Sequence, residues 1–216
     1  MTRNKIRAIL LLGPTGAGKT PFGEALESSS LWGGNYHHFD FGEKLRQTAL
    51  TPSDSQGTPE AALTEDELQT VRSVLASNSL LDESDFPIAE KILISFMKSK
   101  NLNPSSDVII LNGLPRHTAQ ASALEKIIAV KVVLIFACSP DVIFERIKTN
   151  SGGDREGRTD DSLDEIKRKL DIYREKTMPL AEYYKTPDRT ILEIAVDADT
   201  IPLYIIQSLE TMPCMI

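Results

Sequence analysis

The chain has 216 residues, 41% of them apolar and 25% charged, which is the composition of a folded globular protein with one sizeable core. Its net charge of −7 argues against a dedicated nucleic-acid-binding protein, because such proteins usually present a basic face. Cys138 and Cys214 lie far apart and lack the spacing of a zinc site or a disulfide framework. The sequence shows neither a membrane span nor a secretory signal, so we expect a cytoplasmic protein that binds no membrane.

The first predicted element is an apolar strand that begins at Ile6 and leads into a glycine-rich loop, IRAILLLGPTGAGKT. The loop matches the pattern G-x-x-x-x-G-K-[ST], in which backbone N–H groups surround phosphates. Lys19 adds a cation for the outer phosphates, and the Thr20 hydroxyl is a natural Mg²⁺ ligand. This pattern predicts that the chain binds a nucleoside triphosphate through Gly13, Pro14, Thr15, Gly16, Ala17, Gly18, Lys19, Thr20 and Pro21.

Four later segments are almost entirely apolar, as expected for strands of a sheet that helices cover on both faces. They lie at residues 36–39, 107–111, 131–137 and 190–196. Helical segments separate them, including residues 21–28 and 87–98. The alternation predicts an α/β fold of the three-layer P-loop NTPase type, with a mostly parallel five-stranded sheet.

Further helices are marked by serine or threonine caps. The predicted caps are Thr64, Ser139 and Ser162. After Ser162, apolar residues recur on one face of the predicted helix, which we expect to be buried. They are Leu163, Ile166, Leu170 and Tyr173.

Two polar stretches interrupt this alternation of strands and helices. Residues 42–79 are mostly polar or helical, and the part at 51–59 is rich in Pro, Gly and Ser, as in a solvated connection. Residues 149–159 are glycine-rich and contain Arg155 and Arg158, which fits a small flap that closes over phosphates.

Arginines recur where the strands are predicted to end, which is the edge where parallel sheets bind ligands. Arg46 follows the second strand, Arg116 follows the third in LNGLPR, and Arg146 precedes the flap that contains Arg155 and Arg158. Phosphoryl transfer depends on alignment, cations and water exclusion, so arginines converging near a phosphate-binding loop indicate that chemistry.

Five motifs, in this order and spacing, resemble those of the adenylate kinase family of nucleoside monophosphate kinases over nearly the whole chain. They are GPTGAGKT, FDFGEKLR (39–46, like S-T-G-D-x-L-R), LNGLPRHTAQ (111–120, like D-G-F-P-R-x-x-x-Q), GRTDD (157–161) and TMPLAEYY (177–184). The resemblance implies one kinase domain, 1–216, that works as a monomer. Its parts would be a core (1–41, 82–148 and 160–216), an inserted helical acceptor-binding lobe (42–81) and a short lid (149–159).

The resemblance also implies the substrates and their contacts. ATP would be the phosphoryl donor and AMP the acceptor, with Mg²⁺ as cofactor. Arg46 and Arg116 would hold the AMP phosphate, Gln120 would hydrogen-bond the adenine, and the backbone near Leu81 would line the pocket of that base. The full implied acceptor set is Asp40, Phe41, Gly42, Arg46, Leu81, Gly113, Arg116, Gln120, Arg158 and Lys169.

For the donor, the resemblance implies that Arg146 and Arg158 contact its phosphates and the transferring group. The implied catalytic residues are Lys19, Arg116, Arg146 and Arg158. The lid lacks the cysteines of zinc-carrying family members, so no zinc is expected.

Several positions depart from the family pattern. Asn112 stands where the family has an aspartate that orients Mg²⁺-bound water, Phe41 replaces a threonine, and Lys169 replaces an arginine. Lysine cannot bind phosphate in the bidentate manner of arginine, although the neighbouring Arg168 could reach part of that role.

Asp40 ends the second predicted strand, and three interpretations of it stay open. It could supply, through water, the Mg²⁺-linked carboxylate that Asn112 lacks, or act as a base for a hydroxyl acceptor, or cap the next helix. His37 and His38 point to opposite faces of the strand, and we interpret both as structural.

Other functions remain open beside the monophosphate kinase. Phe41, Asp40 and Asn112 favour a P-loop kinase of another small acceptor, whereas Asn112 and Lys169 favour a nucleotide-binding regulatory protein with little catalysis. GPTGAGKT also resembles the opening motif of tRNA prenyl transferases, but that function leaves GLPR unexplained and lacks a basic binding surface.

Overall fold

The computed structural model describes residues 5–50, 63–154 and 162–216. Its centre is a five-stranded sheet in the order β2-β3-β1-β4-β5. The strands are β1 (Ile6–Leu12), β2 (Asn35–Asp40), β3 (Asp107–Asn112), β4 (Ile128–Ala137) and β5 (Thr190–Ala195). Every neighbouring pair runs parallel, which confirms the predicted fold class.

The two faces of the sheet are both covered, as the apolar strands predict. In β1, Ala8 and Leu10 pack into one core cluster, whereas Ile9 and Leu11 pack into a second cluster on the opposite face. All four side chains are buried. Successive side chains of a strand point to opposite faces of the sheet, which explains this alternation. Strand β1 therefore lies at the centre of a three-layer α/β structure.

Helices connect the strands and form the two outer layers. They are α1 (Lys19–Glu27), α2 (Phe41–Leu50), α3 (Glu65–Ala76), α4 (Phe86–Ser99), α5 (Thr118–Leu124), α6 (Pro140–Thr149), α7 (Leu163–Ile172), α8 (Leu180–Tyr183) and α9 (Pro202–Glu210). A π-helical turn, Tyr173–Thr177, continues α7. Within the described residues, no helix is long and apolar enough to cross a membrane.

The three predicted caps are confirmed. Thr64 and Ser162 each form a capping box, at α3 and α7, and the Ser139 hydroxyl accepts a hydrogen bond from the Val142 N–H at α6. These side chains satisfy N–H groups that the first turn of a helix leaves without a backbone partner.

The predicted buried face of α7 is partly wrong. Ile166 and Leu170 are buried, but Leu163 is 64% exposed. Leu163 is the first residue of the helix, and α6 covers only the later turns, where Ile143 packs against Ile166 and Leu170.

The segment predicted to form an inserted lobe (42–81) contains most of α2 and all of α3, which pack against each other beside the end of β2. The Arg72 guanidinium donates from α3 to the Ala49 carbonyl oxygen at the end of α2. The polar connection predicted at 51–59, and residues 155–159 of the predicted lid, lie outside the described residues. The division into core, lobe and lid therefore stays a prediction.

Helix α1 packs closely on β2 because Gly23 has no side chain. A Cβ atom on Gly23 would lie 2.3 Å from Nε2 of His38, whose imidazole fills the space between the two elements. That nitrogen is buried and has no hydrogen-bond partner. Burial lowers the pKa of His38, although Asp40 and Glu27 act in the opposite direction. His38 is therefore a neutral packing residue at neutral pH, which agrees with its structural interpretation.

We predict that Gly23→Ala destabilises the protein by about 1–3 kcal/mol, because the added methyl group overlaps the His38 ring and forces it out of its packed position. At an exposed helix position, Gly→Ala would instead raise the free energy of unfolding by about 1 kcal/mol. The sign of the change therefore shows whether Gly23 is tightly packed. The measurement is urea unfolding. The double variant Gly23→Ala/His38→Ala should cost less than the sum of the single changes, and additive effects would contradict this packing account.

Candidate active site

The candidate active site is a cleft at the carboxyl ends of β1, β2 and β3. Most of the predicted site residues line it, and they come from six separate segments of the chain. The predicted residues in the cleft are Gly13, Pro14, Thr15, Gly16, Gly18, Lys19, Thr20, Asp40, Phe41, Gly42, Arg46, Leu81, Asn112, Gly113, Arg116, Gln120 and Lys169. Ala17, Pro21 and Arg146 do not line it, and Arg158 lies outside the described residues.

The loop after β1 has the backbone shape that a phosphate-binding loop requires. Gly18 has a φ of +85° and directly precedes α1, so the amide groups of the first turn of α1 point toward the cleft. A side chain at Gly18 would also meet the Arg146 guanidinium at 2.9 Å. The Lys19 ammonium donates to the carbonyl oxygens of Gly13 and Pro14, at 2.7 and 2.6 Å.

Thr20, Asp40 and Asn112 form a three-way contact in the cleft. The Thr20 hydroxyl donates to Oδ2 of Asp40 at 2.7 Å. The Asn112 amide nitrogen donates both to the same oxygen, at 2.8 Å, and to the Thr20 hydroxyl oxygen, at 2.9 Å. Sheet register explains the meeting, because Asp40 and Asn112 are paired last residues of the adjacent strands β2 and β3.

The other oxygen of Asp40 caps α2, because Oδ1 accepts from the Glu43 N–H at 2.9 Å. Burial alone would raise the pKa of the Asp40 carboxyl, but its hydrogen bonds from Glu43 and Thr20, together with the charge of Arg46, hold that pKa below its ordinary value. The carboxylate is therefore ionised at neutral pH.

The oxygens of Thr20 and Asp40 are hard ligands of the kind that Mg²⁺ prefers, so the site fits this ion. Over the described part of the chain, no cluster of three or more His, Cys, Asp or Glu side chains could hold a metal by itself. A bound Mg²⁺ would therefore need further oxygens from phosphate and water.

Arg46 and Arg116 reach the same cleft from different elements. Arg46 lies on α2 with an exposed side chain, close enough to Asp40 for their charges to interact. The Arg116 Nε donates to the Gly113 carbonyl oxygen at 3.1 Å, and the Arg116 carbonyl accepts from the Thr177 hydroxyl at 3.0 Å. Thr177 was not among the predicted site residues, although the motif TMPLAEYY pointed to it.

Gln120 is buried at the base of the cleft. Its Oε1 accepts from the Arg116 N–H at 2.9 Å, and its Nε2 donates to the Leu81 carbonyl oxygen at 3.1 Å. The side chain thus ties α5 to the inserted lobe. Phe41 is also buried and stacks on Phe39 with ring centroids 6.0 Å apart, so this part of the cleft is apolar.

Arg146 has a different environment from the one that the sequence suggested. The side chain is only 4% exposed, and its guanidinium donates to the Gly16 carbonyl oxygen and to those of Asp197, Ala198 and Thr200. In the structure, Arg146 therefore joins the phosphate-binding loop to the segment after β5.

The adjacent residues Arg168 and Lys169 of α7 have different surroundings. Lys169 lines the cleft, whereas the Arg168 guanidinium donates to the carbonyl oxygens of Ser77 and Asn78 at the end of α3. The Asn78 amide in turn donates to the Glu165 carboxylate at 3.0 Å. Helix α7 is thus bonded to the end of α3. Arg168 uses its guanidinium in this contact and not in the phosphate contact suggested for it beside Lys169.

A phosphate-binding loop, an oxygen-rich metal position and two arginines in one cleft define the class of protein as a P-loop phosphotransferase. The sequence model of the adenylate kinase family matches residues 11–189. The chain therefore belongs to the adenylate kinase family and is a nucleoside monophosphate kinase.

Individual relatives share about a quarter to a third of their residues with the chain. A uridylate kinase of Saccharomyces cerevisiae is 26% identical over 87% of this chain and 82% of its own length. An adenylate kinase of Prochlorococcus marinus is 29% identical over 88% and 90%, respectively, and one of Corynebacterium aurimucosum is 31% identical over 81% and 84%. These relatives are thus named for two different nucleotides, uridylate and adenylate.

We predict that Arg146→Met lowers the free energy of unfolding by about 2–4 kcal/mol, because four carbonyl oxygens lose a charged donor. Chemical denaturation measures the change. The matched control is Arg174→Met: Arg174 is exposed and, among the described residues, pairs with Asp171, so its loss should cost no more than about 0.5 kcal/mol. Equal stability of the Arg146 variant and the wild type would contradict the anchoring role.

Proposed function

We propose that the protein transfers the γ-phosphoryl group of ATP to AMP in the presence of Mg²⁺ and forms two molecules of ADP. The observation that carries the proposal is the convergence of the phosphate-binding loop with Arg46 and Arg116 in one cleft. The loop would hold the donor and the arginines the acceptor, so that the two phosphate chains meet between them. Such alignment supplies much of the rate enhancement in phosphoryl transfer.

On the donor side, the backbone N–H groups of the loop and the start of α1 would bind the β- and γ-phosphates. Lys19 would exchange its carbonyl contacts with Gly13 and Pro14 for the phosphate oxygens and follow the moving group. Bound Mg²⁺ would neutralise charge on the phosphates, with Thr20 as its direct ligand. Arg146 would support this loop from behind, which is a positioning role.

On the acceptor side, Arg46 and Arg116 would grip the monophosphate by paired hydrogen bonds. Arg116 is held in place for this role. Gln120 and Thr177 hydrogen-bond its backbone, and the Gly113 carbonyl accepts from its Nε, which leaves the outer guanidinium nitrogens for phosphate. Lys169, and Arg158 of the predicted lid, would add charge where the phosphoryl group moves. Closure of residues 149–159 would exclude water and so suppress hydrolysis of ATP.

The acceptor base would lie near Gln120, Leu81 and Phe41. Gln120 already uses its Oε1 and one Nε2 hydrogen within the protein, so its second Nε2 hydrogen is the group that can donate to a base. AMP is our preferred acceptor because most of the named relatives are adenylate kinases. UMP is the second candidate, because of the uridylate kinase relative.

That the protein works as a monomer stays a proposal. The cytoplasmic location also stays a proposal. A second candidate function is a kinase of another small acceptor. The apolar Phe41, which stands where the family has a threonine, favours it.

We predict that the purified protein converts ATP and AMP to ADP with Mg²⁺, and more rapidly than it uses UMP, CMP or GMP. Chromatography of the diphosphate products measures this selectivity. Turnover of another acceptor alone would replace AMP in the proposal, and tight ATP binding without turnover would favour the regulatory protein.

Arg116→Ala should lower kcat/KM for the acceptor by about a hundredfold or more, because removing a charge-assisted phosphate contact costs about 1.5–3 kcal/mol and also loosens alignment. The control is Arg174→Ala, which removes an exposed arginine outside the cleft and should leave kinetics unchanged. Wild-type kinetics of the Arg116 variant would contradict its placement on the acceptor phosphate.

A further inference from the structure

The geometry points to Asp40 as the carboxylate that positions nucleotide-bound Mg²⁺ in this protein, with Asn112 as the side chain that orients Asp40. The metal-linked carboxylate would then stand on β2 and the neutral partner on β3. This inference rests on the ATP-binding part of the proposed function and does not depend on the identity of the acceptor.

The first support is the contact between Asp40 and Thr20. A threonine hydroxyl has one hydrogen and two lone pairs. When the hydrogen is donated to a carboxylate and one lone pair accepts from the Asn112 amide, the second lone pair is left to ligate a metal. The Thr20 hydroxyl donates in this way to Oδ2 of Asp40 at 2.7 Å. The carboxylate therefore orients Thr20, the residue that would hold Mg²⁺.

The second support is the orientation of Asn112. Its amide nitrogen faces Thr20 and Asp40 and donates to an oxygen of each. The opposite orientation would bring the amide oxygen against an ionised carboxylate, so the charge of Asp40 fixes this arrangement. Asn112 is buried and neutral, and it acts on the site by holding Oδ2 of Asp40 in place.

Capping of α2 explains only half of the Asp40 side chain. The cap uses Oδ1, which accepts from the Glu43 N–H, whereas Oδ2 faces Thr20 and the cleft. A carboxylate kept only as a cap would not need the donors from Thr20 and Asn112. Asparagine caps helices about as well as aspartate, so Asp40→Asn separates the two roles.

Comparison with the family motifs also indicates that the carboxylate has moved from the end of β3 to the end of β2. In the segment FDFGEKLR, Asp40 stands at the serine of S-T-G-D-x-L-R, and in LNGLPR, Asn112 stands at the aspartate of D-G-F-P-R. Since the two positions are paired across β2 and β3, one carboxylate is retained at the same edge of the sheet.

The experiment measures ATP affinity by isothermal titration calorimetry, once with excess Mg²⁺ and once with a chelator. For the wild type we expect tighter binding with Mg²⁺. Asp40→Asn should reduce that Mg²⁺-dependent gain by about ten- to a hundredfold, the usual effect of losing a group that supports metal binding, and should leave metal-free affinity within about twofold. Asp40→Ser/Asn112→Asp should restore most of the gain.

The matched control is Glu43→Gln. It removes a negative charge one turn away on α2 whose carboxylate binds only the Gln47 amide among the described side chains. This variant should keep the full Mg²⁺-dependent gain. Retention of the gain in Asp40→Asn, or its failure to return in the double variant, would overturn the inference.

A measurement on the wild type covers the case in which a variant does not fold. With ¹³C-labelled aspartate and Mn²⁺-ATP, the carboxyl signal of Asp40 should broaden far more than that of Asp107 at the other end of β3. Equal broadening would overturn the inference. If instead no monophosphate is turned over while the Mg²⁺ effects follow Asp40, the proposed acceptor chemistry fails and this inference stands.

Discussion

The parallel register of β1, β2 and β3 is the constraint on which the rest of the site depends. Because the three strands end at the same edge, the loop after β1 and the last residues of β2 and β3 meet without any long connection. Asp40 pairs with Asn112 in this register, and both reach Thr20 at the start of α1. A slip of one residue would turn either side chain to the opposite face of the sheet and disperse the contact.

The basic residues around this edge divide into two groups by environment. Arg46, Arg116 and Lys169 line the cleft, where a charged substrate can reach them. Arg146 and Arg168 instead donate to backbone carbonyl oxygens that join segments distant in sequence. Arg146 supplies a donor to partly buried carbonyls, and the exposed Arg168 links α7 to the end of α3, so both stabilise the arrangement in which the first group can act. One set of basic side chains thus supplies positive charge to the cleft, and another set stabilises the segments around it.

The sequence predicted the fold well because its signals are local. The central strands are mostly apolar, the phosphate-binding loop has a fixed pattern, and Thr64, Ser139 and Ser162 cap helices with their own side chains. Helices α5 and α9 were not predicted: α5 is short, and α9 begins at a proline and is apolar enough to resemble a strand. The exposure of Leu163 depends on what lies opposite, which periodicity alone does not reveal.

The site was predicted only in part, because contacts across the sheet leave no mark in sequence. Spacing placed Asp40 and Asn112 at strand ends, but only register shows that one amide nitrogen bridges Asp40 and Thr20. Spacing likewise placed Arg146 near the lid without revealing the four carbonyls around it. The central claim is that one cleft binds two nucleotides end to end, and a crystal structure with Mg²⁺ and a bisubstrate dinucleotide analogue tests it most directly. The account predicts an oligophosphate that runs from Lys19 to Arg46 and Arg116, whereas an analogue bound at the loop alone, with both arginines turned to solvent, would contradict it.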